Sequence, residues 1–306
     1  MVSSNRSVVL LYGGFDNESV VSYSAHASVH EAIKQAGYNV INKECKPDNI
    51  QDIMMYLINN KDNIIVFMLI HGKYGEDGRL VGFLDILNIP HTTSNFQSLV
   101  LCMHKAATKS YLDYYAPNIL LPKGDIVNHQ DLNDYAFTYP CIIKPCSSGS
   151  SILTYLLKSS EDLNKVKSSL IDSKLDFIVE EYIQGTEVTL SIINDKVLCS
   201  SSLDIKGTIF DFDTKVSKEP HIVTPAAIST QLEVKVKDLA YQIYRLLQCR
   251  GIARVDFIIT QDEQVYFLEV NTIPGMSPAS FIPSHAEYAG LTLKDICQQL
   301  IRNAKT

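Results

Sequence analysis

Residues 253–275 read ARVDFIITQDEQVYFLEVNTIPG. Two apolar, β-branched runs, Val255 to Thr260 and Val265 to Val270, flank the polar QDEQ, so the stretch predicts a β-hairpin with its loop at Asp262-Glu263. With a two-residue loop, Asp256 faces Glu269 and Arg254 faces Asn271. Side chains on a strand alternate with period two, so all four polar groups share one face. Directly opposed carboxylates repel, and something cationic must sit between them. Carboxylate and amide oxygens suit a hard ion such as Mg2+, which keeps several waters and takes phosphate oxygens. Arg254 is suited to hold an anion. A solvated surface hairpin would instead spread polar residues over its exposed face and tip. A register slip of one residue would scatter the cluster.

The chain has 306 residues, enough for two or three domains with proper cores. It is 46% apolar and 20% charged, which is ordinary globular usage. A net charge of −7 and no Lys/Arg run argue against a nucleic-acid partner. The longest clean apolar run, IIVFMLI at 64–70, is too short to span a bilayer, so no membrane is expected. The N-terminal MVSSNRSVVLLYGG leads straight into a Gly-Gly turn and does not read as a signal peptide. Seven scattered cysteines without CxxC spacing fit a reduced cytoplasm. Most of them read as core residues; Cys146 stands out because it falls in a candidate phosphate loop.

The first part alternates strand and helix: SVVLLYGG, a helix through EAIKQAG closed by Gly37, YNVIN, a helix over 50–59, NIIVFMLIHG, and a helix around RLVGFLDILN. This βαβαβ order implies a parallel, doubly wound sheet with ligands at the carboxyl ends of its strands. The Gly13-Gly14 turn and the HGKYGEDG loop lie there. The pattern then changes. MHKAATKSYL reads as helix, YPCIIKPCSSGSSILTYLL as strand, loop, strand, and SEDLNKVKSSLI as a serine-capped helix. Strands LDFIVEEYI, EVTLSII and KVLCSSSL follow, then a polar loop over 211–223, a helix over 232–248, the hairpin, and a last helix near 292–303. Three domains result: 1–93, 94–185 and 186–306.

In IIKPCSSGSS, Lys144 ends a strand before small hydroxyl residues and glycine, a composition able to form an anion nest. A flexible linker has similar composition but is rarely bracketed by buried strands. No Walker A loop is present. VEEYIQGTE offers Glu180 and Glu187 around a connection whose backbone can bind adenine edges while a carboxylate holds ribose; a solvated turn fits the segment equally. Lys105, taken alone, reads as a surface lysine, and His71 as a turn or core histidine.

Together, LLYGGFDNESVVS, LIHGKYGEDGRLVG, MHKAATK, IIKPCSSGSS, VEEYIQGTEVT, FDFDTKV, ARVDF and FLEVNTIPGM with Ser280 resemble the D-alanine–D-alanine ligase family of the ATP-grasp superfamily, essentially end to end. The resemblance implies an α/β fold with α+β elements: a three-domain ATP-grasp chain with an N-terminal doubly wound parallel sheet and a nucleotide site between the central and C-terminal domains. A mobile loop near 207–223 would close over it. It implies that Asp256, Glu269 and Asn271 hold two Mg2+ (or Mn2+) ions, with Glu269 bridging. Lys105 and Lys144 would contact ATP phosphates, Glu180 and Glu187 adenine and ribose, and Ser151, Glu181, Ile183 and Lys215 would complete the ATP site. Glu18 would hold the first D-alanine's ammonium. Arg254 and the Gly275 N–H would stabilise the oxyanion, with Ser150 and Glu18 in the catalytic set. His71, Ser280 and Phe281 would help bind substrate. The family also implies a cytoplasmic homodimer serving peptidoglycan precursor synthesis. The chain departs from the family at Ser147-Ser148 and Leu153 in the serine loop, at His104 before the phosphate lysine, and at Val216 after the lid lysine. Leu153 takes positive φ less cheaply than glycine. These departures leave two other readings: an ATP-grasp ligase with another acceptor, such as D-lactate, and a nucleotide-binding relative without turnover.

Overall fold

The computed structural model describes residues 6–149, 152–204 and 221–306. Its first sheet has three parallel strands in the order β2-β1-β3: β1 (Ser7–Gly13), β2 (Val40–Cys45) and β3 (Ile64–Met68). Every residue of β3 is buried, as expected for a parallel strand covered on both faces. Alternation sorts β1 into two cores. Val8 and Leu10 pack with Ala25, Val29 and Ile33 of α1 (Ser19–Gln35), while Val9 and Leu11 pack with Ile53 and Leu57 of α2 (Ile50–Asn60). Gly37 closes α1 at φ 88°, as predicted. Helix α3 (Arg79–Ile86) follows the glycine-rich loop.

Helix α4 (Phe96–Met103), absent from the sequence reading, is followed at once by α5 (Lys105–Tyr115). His104 lies between them, and its Nδ1 accepts the Ala107 amide at 3.1 Å. The histidine that departs from the family pattern therefore caps the helix that begins with Lys105. The second sheet is antiparallel in the order β4-β7-β5-β6: β4 (Gly124–Asn128), β5 (Cys141–Pro145), β6 (Tyr155–Leu157) and β7 (Asp176–Glu181). Helix α6 (Ser160–Asp172) has the expected serine cap, Ser159. Leu153, between β5 and β6, sits at φ 56°. The left-handed backbone costs about 1–2 kcal/mol, and its side chain offsets this by packing against the sheet's core.

The third sheet is antiparallel in the order β10-β9-β8-β11-β12: β8 (Thr186–Ile193), β9 (Lys196–Asp204), β10 (His221–Val223), β11 (Ile252–Ile259) and β12 (Val265–Asn271). Helix α7 (Thr230–Leu246) lays Leu232, Val236, Ala240 and Ile243 over Val188, Leu190, Val255 and Phe257. That packing commits Val255 and Phe257 to the core and leaves Arg254 and Asp256 on the other face. Helices α8 (Phe281–Tyr288) and α9 (Leu293–Arg302) complete the fold, α9 returning to the first core through Ile296, Leu300 and Ile301. No helix among the described residues is long and apolar enough to cross a membrane.

The hairpin corrects one expectation. Its loop is not Asp262-Glu263: the Thr260 amide donates to the Gln264 carbonyl at 3.0 Å, leaving three residues, with Glu263 at φ 61°. Near the loop, Ile259 faces Val265 and Phe257 faces Phe267. A register shift between Asp256 and Phe257 then restores the pairing of Asp256 with Glu269 and Arg254 with Asn271. The longer loop and the bulge cancel, so the predicted polar face survives an incorrect loop length.

Candidate active site

Two polar rows cross one face of the third sheet. Arg254 lies between Ser191 on β8 and Asn271 on β12. Asp256 lies between Thr189 on β8 and Glu269 on β12, and Thr189 in turn faces Ser201 on β9. Buried Asp256 is bound by Arg254 through Nε–H to Oδ1 at 2.9 Å and Nη2–H to Oδ2 at 2.8 Å, while the Thr189 hydroxyl donates to Oδ1. Burial works against the Arg254 charge, but Asp256 outweighs it and raises the guanidinium pKa. The cationic charge that two opposed carboxylates require is present: Arg254 on Asp256, and Lys105 Nζ 3.3 Å from Glu269 Oε2.

Lys105 also donates through Nζ to the Ser148 carbonyl, and its amide donates to the Cys146 carbonyl at 2.8 Å. The CSSG loop is thereby tied to the start of α5. Lys144 Nζ lies 2.9 Å from Glu180 Oε2, while Lys109 donates to Oε1 of the same carboxylate. Two buried lysines share one buried carboxylate. Burial and then Lys144 push Lys109 down to about 7. Burial also opposes the Lys144 charge, yet Glu180 and Glu269 carry its pKa above the usual lysine value. For Glu180, burial raises and the two lysines lower; the lysines win. Cys146 is buried against Ala106 and Ile178, and burial raises its thiol to about 11, which marks it as a core residue.

On the first domain's side, Glu18 is buried and its Oε1 accepts the Gly149 amide at 3.2 Å. A Cβ on Gly149 would meet that carboxylate, so a larger residue here would push the Glu18 side chain aside. Glu76 is buried, accepts the Gly72 amide at 2.8 Å, and is raised to about 8 by burial and by Glu18. His71 lies beside it, with Nδ1 4.0 Å from Glu76 Oε1. Burial and Arg254 lower His71 to about 4, and its buried Nε2 has no hydrogen-bond partner among the described residues.

The remaining side is built by the turn after β12. A Cβ on Gly275 would stand 2.8 Å from Ser280 Oγ, so the Pro-Gly turn permits the approach. Ser280 Oγ is 2.8 Å from Ser277 Oγ, and the Arg254 guanidinium sits 5.7 Å from the Phe281 ring centroid.

Lys105, Lys144, Glu180, Glu181, Ile183, Glu187, Asp256 and Glu269 line a cleft of about 760 Å³. Asn271 stands on the same strand face, its Oδ1 accepting the Ile273 amide at 3.0 Å. His71 and Phe281 lie near Arg254, Glu18 lies beside Gly149, and Ser280 lies beside Gly275. Ser150, Ser151, Lys215 and Val216 lie outside the described residues. Three contributors escaped the sequence reading: Glu76, Lys109 and Thr189. Glu76 stood inside HGKYGEDG, a loop whose three glycines drew attention away from its acid. Lys109 is one turn beyond Lys105 on α5, a spacing that puts both on one helix face.

Residues 116–302 match the family model described as "D-ala D-ala ligase C-terminus". The chain is 30% identical over 305 residues to a D-alanine–D-alanine ligase of Geotalea uraniireducens, covering 98% of this chain and 96% of that one. It is 30% identical over 302 residues to the ligase of Francisella tularensis subsp. tularensis, covering 98% and 99%. Among solved structures, the D-alanine–D-alanine ligase of Bacillus anthracis complexed with ATP superposes with TM-score 0.78 at 26% identity, covering 98% and 97%. The VanG D-Ala:D-Ser ligase of Enterococcus faecalis shares the fold, with TM-score 0.82 at 24% identity, covering 97% and 99%.

Proposed function

The chain belongs to the D-alanine–D-alanine ligase family, and from that premise we propose that it joins two D-alanine molecules with ATP, forming ADP and phosphate. The reading places it in cytoplasmic peptidoglycan precursor synthesis, acting as a homodimer. The observation that carries it is the strand face where Asp256 and Glu269 oppose each other beside Arg254, on the cleft that Lys105 and Lys144 also line.

An oxygen-only set of Asp256, Glu269 and Asn271 fits Mg2+ or Mn2+. The cations already drawn to both carboxylates support that fit. Two such ions, when bound, would neutralise charge as the phosphoryl group moves. The chain's own groups do the rest. Lys105 and Lys144 hold ATP phosphates; the 181–187 connection, with Ile183 and Glu187, holds adenine and ribose. Glu180 acts through Lys144 and Lys109, which occupy both of its oxygens. Glu18 receives the first D-alanine's ammonium, and the unpartnered Nε2 of neutral His71 supports a hydrogen bond to that substrate.

The first D-alanine carboxylate oxygen attacks the γ-phosphorus, and ADP leaves. The second D-alanine's amine attacks the acyl carbon of the resulting D-alanyl phosphate. Arg254 and the Gly275 N–H stabilise the oxyanion. Asp256 takes Nε and Nη2 of Arg254 and not Nη1, which supports a donor aimed at the substrate. Ser280 helps hold the second carboxylate, and Phe281 helps bind the substrate. The bond to phosphate then breaks, phosphate leaves and takes up the proton lost by the attacking nitrogen, and the amide remains. Phosphate release from Mg·ATP is measured with D-alanine, with L-alanine and with neither. The expected result is release only with D-alanine, with one dipeptide by mass per ADP. Release independent of D-alanine, or none with D-alanine present, contradicts the reading.

A further inference from the structure

His285, on α8, is fully buried and unused by the mechanism above. Its Nδ1 is 2.6 Å from Ser191 Oγ and its Nε2 is 2.7 Å from Ser201 Oγ. Those serines belong to the two polar rows of the sheet: Ser191 faces Arg254, and Ser201 faces Thr189, whose hydroxyl binds Asp256. The chain of contacts continues from Ser201 to Thr224 Oγ1 at 2.5 Å and from there to Ser284 Oγ, back on α8, at 3.1 Å. Two adjacent residues of one helix thus fasten it to β8, β9 and the residue after β10.

Both anchors lie one helical turn below the substrate-facing pair. Ser284 follows Ser280 by four positions and His285 follows Phe281 by four, so each anchor shares a helix face with the residue it would set. The Phe281 ring is 5.9 Å from the His285 ring and 5.7 Å from the Arg254 guanidinium. A neutral imidazole has one donor and one acceptor, so it orients both serine hydroxyls while adding no charge beside Arg254.

We propose that His285 is a positioning residue: it ties α8, and with it Ser280 and Phe281, to the strand face that carries Arg254 and Asp256. That Ser280 and Phe281 hold the acceptor D-alanine rests on the ligase reading.

The test compares His285→Ala and His285→Gln in the full chain. Glutamine supplies one donor and one acceptor; alanine supplies neither. His285→Ala raises half-saturation for the acceptor D-alanine about tenfold, while ATP half-saturation stays within about twofold. His285→Gln recovers most of the loss. An unchanged D-alanine response in His285→Ala, an equal rise for ATP, or a glutamine variant as impaired as alanine overturns the proposal. Amide hydrogen exchange over 281–288 is read in parallel and needs no substrate. Exchange faster in His285→Ala than in the parent and His285→Gln supports the clamp; equal exchange in all three overturns it. A parent that releases no phosphate with D-alanine refutes the ligase reading alone, and the exchange data still decide the clamp.

Discussion

At the β11–β12 end of the cleft, charged groups hold one another: Arg254 on Asp256, Lys105 on Glu269, and two lysines on Glu180. At the α8 end, neutral groups do the holding, through His285 and four hydroxyls. The first arrangement pairs cations and anions with which phosphates and divalent ions would exchange. The second is already satisfied. One end is built to be rearranged by what binds, and the other to stay where it is.

The largest effect that sharpens this contrast is at the charged end. Asn271→Ala removes the side-chain oxygen proposed to hold a divalent ion while leaving the strand pairing intact. The loss of several kcal/mol of transition-state stabilisation corresponds to about 10³-fold in kcat, while the lost acceptor of the Ile273 amide lowers stability by only about 1–3 kcal/mol. A variant within tenfold of the parent would mean that this face does not serve the phosphoryl transfer.

Acid separates the two ends next. His71 and His285 are both lowered to about 4 by burial and by Arg254, against an ordinary value near 6.5. Between those values the unfolded chain binds protons that the folded chain refuses. Stability is therefore full above pH 6.5, falls as pH drops to about 4, and loses nothing more from these groups below that. Each histidine accounts for roughly 3 kcal/mol of that fall. Urea unfolding at pH 7.5 and 4.5 should show a smaller drop for His285→Gln than for the parent. Equal drops would mean that the ring is charged, or exchanges with water, in the folded protein.

The charged end was the more legible in the sequence. Strand alternation placed Arg254, Asp256, Glu269 and Asn271 on one face, and that placement held despite the wrong loop length. Glycine punctuation and apolar runs located the parallel sheet and most helices, and β5 ends where IIKP put it. The neutral end was illegible for a physical reason. His285, Ser191 and Ser201 meet across 94 and 84 residues of chain, and no local periodicity reports such a meeting. Serines in CSSSL read as an ordinary strand, and α8 begins ten residues after β12 ends.

Two smaller effects complete the comparison. Lys109→Met leaves Glu180 with Lys144 at 2.9 Å, so the cost stays below that of an orphaned buried charge. About 1–2 kcal/mol of stability is lost, with a raised KM for ATP and an unchanged response to D-alanine; a raised KM for D-alanine alone would blur the two ends. Leu153→Gly relieves the left-handed backbone and forfeits packing on the second sheet. The terms oppose, and the change in stability stays within about 1 kcal/mol.

The most direct test of the charged end is calorimetric titration of ADP into the parent and into Asp256→Asn, each with Mg2+ and with chelator. Mg2+ is expected to strengthen ADP binding to the parent by at least about tenfold and to have little effect on Asp256→Asn. Equal binding by the parent with and without Mg2+ would contradict that expectation.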